Sequence, residues 1–131
     1  MPATDDAIRL TAVNHLTYNV KDKDRALKFW VEVMEIQQIP SQVNSENVLW
    51  LQLPSGTMVH LVETPDAPSV PSHHGAFEVE DIEAAQARFR GLGVETTDIN
   101  TRNDGQRAMF FNDTEGNRIE ICTRSGFSVL V

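Results

Sequence analysis

The sequence predicts an α+β fold built from two tandem βαβββ modules, and three observations carry that expectation. First, the chain repeats itself. "VNHLTYNVKDKDRALKFW", from Val13, and "SHHGAFEVEDIEAAQARF", from Ser72, share an order of strand, acidic break and helix. Pairing His15 with His74 sets an offset of 59, which also pairs Val20 with Val79, Asp22 with Asp81, Ala26 with Ala85 and Trp30 with Phe89. Later in each half, "SGTMVHLVE" and "EGNRIEICT" align through Gly56 and Gly116 at an offset of 60, which sets His60 opposite Glu120. Second, apolar residues follow helical spacing after each acidic break and strand spacing elsewhere. Third, "TPDAPSVPS" at 64–72 holds three prolines and no periodic pattern, as a linker between two halves would.

The elements follow in order. Leu10 to Val20, rich in β-branched and apolar residues, reads as a strand. Lys21 to Asp24 breaks it, with Asp22 or Asp24 as N-cap. Ala26, Phe29, Trp30 and Val33 then fall at i, i+3, i+4 and i+7, an amphipathic helix whose aromatic residues belong to the core. Ile36–Val43, Val48–Leu53 and Thr57–Glu63 read as strands, with Pro54-Ser55-Gly56 as the last turn. The second half repeats the plan: a strand His74–Val79, a helix from Ile82 ended by Gly91 and Gly93, and strands near Val94–Ile99, Gln106–Asn112 and Asn117–Cys122. Asp104-Gly105 and Asp113–Gly116 are the turns. This gives a single domain over 1–131: module one at about 10–63, a linker at 64–72, module two at about 73–123 and a tail at 124–131.

Composition narrows the function. A net charge of −8 argues against nucleic acid and anionic membrane as partners, both of which need clustered Lys and Arg. The one cysteine, Cys122, excludes an intrachain disulfide and a thiolate zinc knot, and fits a reducing cytoplasm. The first residues lack a basic and an apolar signal region, and no apolar run approaches the roughly 18 residues of a membrane span. A cytoplasmic protein acting on a small molecule is the expectation.

Side-chain alternation selects the candidate site. Ile119 and Ile121 share one strand face, so Glu120 looks the other way with Arg118 and Cys122. Val59 and Leu61 set His60 opposite in the same manner. Phe77 and Val79 leave His74 on the other face; Leu16, Tyr18 and Val20 leave His15 and Thr17 on the other face of the first strand. Glu63 and His73 face away from the set. Imidazole nitrogen and carboxylate oxygen suit divalent zinc, nickel, cobalt, manganese or iron(II). Four ligands leave two open positions in an octahedral sphere, which a substrate oxygen pair could fill. Taken singly, each has a plainer reading: a strand His is commonly hydrogen-bonded structure, a strand Glu solvated, and His60 could serve as an outer hydrogen-bonding group. Arg118 has the parity to meet a substrate anion, whereas Arg102 and Arg107 read as solvated surface. Nothing in the sequence lowers the Cys122 pKa.

"NHLTYNVKDKDRALKFW", "HHGAFEVEDIEAA" and "FFNDTEGNRIEI", in this order and spacing, resemble the opening of the first module, the opening of the second and the closing hairpin of the vicinal oxygen chelate superfamily, which includes glyoxalases, bleomycin-resistance proteins and dioxygenases. The resemblance covers roughly Leu10 to Thr123. It implies a cupped mixed β-sheet with helices on its outer face, and metal ligands from the first and last strands of each module: His15, His60, His74 and Glu120. It implies a homodimer, with the first module of one subunit facing the second module of the other across a shared site. It also implies glyoxalase-type lyase or isomerase chemistry, with Glu120 or a metal-bound water moving the proton. Departures from particular relatives are visible. Glyoxalase I-like enzymes usually carry Glu at the position of His60, and their glutathione-contacting Arg would fall at Asn19. Fosfomycin-resistance thiol transferases, an alternative implied reading, are similar in "NHLT" and in His15, His74 and Glu120, but their basic C-terminal segment has no match in "TRSGFSVLV". An iron(II) dioxygenase triad of His15, His74 and Glu120 is a further implied reading, and a non-catalytic ligand-sequestering protein another.

Overall fold

A computed structural model describes residues 12–66, 73–103 and 105–124. Module one contains β1 (His15–Val20), α1 (Lys23–Glu32), β2 (Gln37–Ile39), β3 (Val48–Gln52) and β4 (Met58–Glu63). Module two contains β5 (His74–Glu78), α2 (Ile82–Gly91), β6 (Asn100–Thr101), β7 (Arg107–Asn112) and β8 (Arg118–Cys122). The strands form two four-stranded mixed sheets, ordered β1-β4-β3-β2 and β5-β8-β7-β6, with β1–β4 and β5–β8 the parallel pairs. The expected α+β class and the duplicated βαβββ plan are both present. The first and last strands of each module lie side by side, which is what lets residues far apart in the chain share a face.

Local chemistry sets the helix boundaries. The Asp22 carboxylate accepts from Arg25 N at 3.0 Å, and Asp81 accepts from Ala84 N at 3.0 Å, so each acidic break is an N-cap. Such caps are worth about 1 kcal/mol each. At the other end of α2, Gly93 adopts φ +86°, while Gly93 N and Val94 N close on the carbonyls of Arg90 and Phe89.

Several strands are shorter than expected. Of the expected strand from Leu10, Leu10 and Thr11 lie outside the described residues, and Ala12–Asn14 are not in a ladder. The strand after α1 stops at Ile39 because Pro40 cannot donate to it. Val94–Ile99 is not a strand; only Asn100 and Thr101 pair with β7. Thr97 meets β7 at one backbone bond, its N–H donating to Phe110 O at 2.9 Å, but its hydroxyl and not its carbonyl takes the returning Phe110 N–H, so no ladder forms there. Of the linker, 67–72 lies outside the described residues, as does Asp104 of the expected turn.

The core joins both modules. Tyr18, Val20, Val59 and Leu61 pack with Ala26 and Trp30, and this cluster continues into Ile82, Met109, Phe111, Ile119 and Ile121. Glu63, in phase with Leu61, accepts from Lys23 N at the start of α1, so this face is the helix side. At the seam, Trp30 Nε1 donates to Asp113 Oδ2 at 3.1 Å. The β1 and β5 edges approach so closely that a Cβ at Gly75 would lie 2.2 Å from the Tyr18 hydroxyl oxygen and 2.8 Å from Leu16 Cδ1. Glycine is the residue that permits this contact. Burial pushes the Tyr18 phenol up to about 12.

Candidate functional site

The face opposite the core carries the polar residues, in two matched clusters. On module one, His60 projects from β4 beside Thr17 of β1 and Trp50 of β3. Its ring is stacked between Trp50, at 4.2 Å between centroids, and His15, at 4.1 Å. His60 is buried, and both its Nε2 and Trp50 Nε1 lack a hydrogen-bond partner. Burial, reinforced by the neighbouring His15, holds the His60 pKa below its ordinary value. The ring is therefore a neutral imidazole with a nitrogen lone pair to offer. His15 Nδ1 lies 2.8 Å from Asn14 Oδ1. Donation of Nδ1–H to that oxygen leaves Nε2 as the lone-pair nitrogen, the arrangement common to metal-binding histidines.

On module two, Glu120 takes the place of His60, and Phe110 stands across from it as Trp50 stands across from His60. Glu120 is buried. Its Oε1 lies 3.1 Å from His74 Nε2, and its Oε2 accepts from Arg102 Nη1 at 3.0 Å. The Phe110 ring meets His74 edge-on and carries the Arg118 guanidinium over its face at 4.5 Å. A cation over an aromatic face is held by the ring quadrupole, which keeps Arg118 on this surface.

The four residues expected to meet thus come together in pairs: His15 with His60, and His74 with Glu120. Among the described residues no three His, Cys, Asp or Glu side chains of one chain form a group able to hold a metal. Thr17 is exposed beside His60, on the face of His15, and Arg118 is on the face of Glu120. Two participants escape the sequence reading. Arg102 is not simple solvated surface; it is ion-paired to Glu120. Trp50 sits two strands from His15 and closes the stack, although its β3 parity could have placed it there. Arg107 pairs with Glu83, away from the cluster. Cys122 donates to Phe77 O at 3.7 Å, and burial pushes its thiol pKa up, which disfavours the thiolate form.

The chemistry of the donor set fits a divalent ion: three imidazoles, one of them with a buried orphan nitrogen, and a buried carboxylate. Among the described residues no helix is long and apolar enough to cross a membrane.

Comparison with known proteins agrees with this architecture. The family model for the Glyoxalase/Bleomycin resistance protein/Dioxygenase superfamily matches residues 12–121. Glyoxylase I 4 of Arabidopsis thaliana is 24% identical over 135 residues, covering 94% of this chain and 76% of that protein. The crystal structure of a glyoxalase family protein from Bacillus anthracis superposes with a TM-score of 0.81 at 20% identity, covering 91% of this chain and 99% of that one. TnmS3, an antibiotic binding protein from Streptomyces sp. CB03234, superposes with a TM-score of 0.74 at 25% identity, covering 91% of this chain and all (100%) of that one. With a duplicated βαβββ plan, paired donors at matched strand positions and a family match over nearly its whole described length, the chain belongs to the Glyoxalase/Bleomycin resistance protein/Dioxygenase superfamily.

Proposed function

We propose that this protein is a divalent-metal-dependent enzyme of the glyoxalase type, with its site built between two copies of the chain. Module one of each copy faces module two of the other, so that His15 and His60 meet His74 and Glu120. The observation that carries this reading is the two-plus-two division of the donors. Each half presents two ligands at equivalent positions, each is too small to hold an ion alone, and His60 Nε2 is buried with no partner. A buried polar atom without a partner costs free energy, which a ligand at that atom would recover. Twofold pairing of one chain supplies the missing half twice over.

The bound ion, zinc, nickel, cobalt, manganese or iron(II), would supply Lewis-acid stabilisation of negative charge on a substrate offering two oxygens. The chain's own groups do the rest. Glu120, a carboxylate shielded from water, accepts and returns a substrate proton, a role worth typically ~10²–10⁴-fold. Thr17 offers a hydroxyl beside His60. Arg118, held over Phe110, offers positive charge to an anionic part of the substrate. The Trp50–His60–His15 stack fixes the imidazole plane and keeps water from one wall.

A second reading has its own support. The aromatic stack and the 25% identity with TnmS3 suit a protein that sequesters a planar ligand without turnover. Metal analysis and light scattering on protein purified without added ions separate the two. The enzyme reading expects a dimer with about one ion per chain. Nickel, cobalt or zinc favours the lyase or isomerase, and iron with O₂ consumption a dioxygenase. A metal-free protein that takes up none of these ions contradicts the enzyme reading.

A further inference from the structure

Among the described residues two glutamates are buried, Glu115 and Glu120, each paired with an arginine, and the two pairs are built differently. Arg25 grips Glu115 with two nitrogens, Nε to Oε2 at 2.7 Å and Nη2 to Oε1 at 2.9 Å. This is the fork geometry that makes an arginine–carboxylate pair durable. Two backbone amides, Lys21 N and Asp22 N, donate to the same carboxylate. Arg102 instead reaches Glu120 with Nη1 alone, and the same nitrogen also donates to Gln106 Oε1 at 2.7 Å. Gln106 is itself anchored by its Nε2 to Thr123 O at 3.0 Å. The Arg102 side chain is 41% exposed and that of Glu120 6%. Arg102 follows directly on β6, in the connection to β7.

The consequence is specific. Glu120 has both oxygens engaged, one by His74 and one by Arg102, at the position where the proposed metal needs an anionic donor. A guanidinium and a divalent cation at the same carboxylate repel one another and compete for the same lone pairs. Letting go of Glu120 costs Arg102 little, since it is half in water and keeps Gln106 as an acceptor.

Resting on the metal reading above, we propose that Arg102 is a positioning residue that competes with the divalent metal for Glu120. It holds the carboxylate in place in the metal-free protein and yields it when the ion arrives. Arg102 thereby lowers the affinity of the site for metal while keeping Glu120 oriented and its charge balanced.

The test titrates nickel(II) into chelator-treated protein by calorimetry and follows thermal unfolding with and without the ion. Arg102→Met is expected to bind nickel(II) about 10-fold or more tightly than wild type, the scale of one charge-assisted hydrogen bond. Arg102→Lys, which keeps the charge, should stay near wild type. Metal-free Arg102→Met should melt lower than wild type but gain more from added nickel(II), because tighter binding adds stability by mass action. A merely structural arginine would lower the melting temperature with no gain in metal affinity. Arg102→Gln gives a second neutral variant should the methionine chain fold poorly. Nickel(II) binding that is unchanged or weaker in the neutral variants, with wild type binding normally, overturns the competition and leaves the metal reading standing. Binding by the neutral variants alone supports it in its strongest form. No binding by any of the chains defeats both.

Discussion

Replacing His74 or Glu120 with alanine is expected to abolish stoichiometric metal binding while the fold survives. His74 projects from the exposed face of β5, and its contacts include Glu120 Oε1 and the edge of Phe110. Glu120→Ala removes the buried carboxylate of that face; the other, Glu78, is exposed and stands further along, across from Cys122. The Arg102 that this substitution abandons is half-exposed and keeps Gln106, so no buried charge is stranded. Far-UV circular dichroism should match wild type in both variants, and metal titration should show no saturable site. For His60→Ala the expectation is weaker affinity and not complete loss, because His60 alone of the four also reads as an outer hydrogen-bonding group. Full metal content in the His74 or Glu120 variant would defeat their assignment as ligands.

Glu115→Ala is expected to be the most destabilising single change outside the hydrophobic core. The Glu115 side chain is fully buried (0% exposed) and accepts from Arg25, Thr114 and the amides of Lys21 and Asp22 at the start of α1. It thus ties the β7–β8 turn of module two to the first helix of module one. Its loss leaves helix-start amides without acceptors, and we expect a cost of about 3 kcal/mol. That is the low end for breaking a buried pair, because Arg25 is 52% exposed and recovers water. The pH dependence follows from the same contacts. Arg25, aided by the two amides and Thr114, holds the Glu115 carboxyl down at about 2, against an ordinary 4.5. A depressed carboxyl stabilises the fold above its unfolded-state value and loses that contribution as pH falls from about 4.5 toward 2. Urea unfolding at a series of pH values should show wild-type stability falling through that window, with a shallower fall in Glu115→Gln.

What the sequence made legible was whatever repeats with a short period or a fixed offset. The helix stripe on Ala26 and Trp30, the cap Asp22 (one of two acidic candidates), and the opposition of His60 to Val59 and Leu61 all reappear in the structure, and Asp81, the repeat partner of Asp22, caps the second helix. The repeat also put His60 and Glu120 at equivalent places, each with an aromatic ring on the neighbouring strand. Contacts between distant segments stayed hidden. Arg25 and Glu115 are separated by 90 residues, and no periodicity links them. Arg102 reads as an ordinary polar loop residue until the β6–β7 connection folds it back over Glu120. The expected strand at Val94–Ile99 reduces to one backbone bond, Thr97 N to Phe110 O, because the Thr97 hydroxyl and not its carbonyl takes Phe110 N. Alternation could say that four donors lie on the open faces of two sheets. It could not say which open faces meet, because that depends on how whole modules pack.

The most direct measurement of a site shared between copies mixes two defective chains. One carries His15→Ala with His60→Ala, and the other carries Glu120→Ala. Each alone should bind essentially no metal. In a mixed dimer with crossed sites, one cleft collects every lesion and the other collects none. After random re-pairing of equal amounts, about a quarter of wild-type metal sites should therefore return. Metal content that stays at the level of the two separate parents, in a preparation shown to contain mixed dimers, would contradict a site built between subunits.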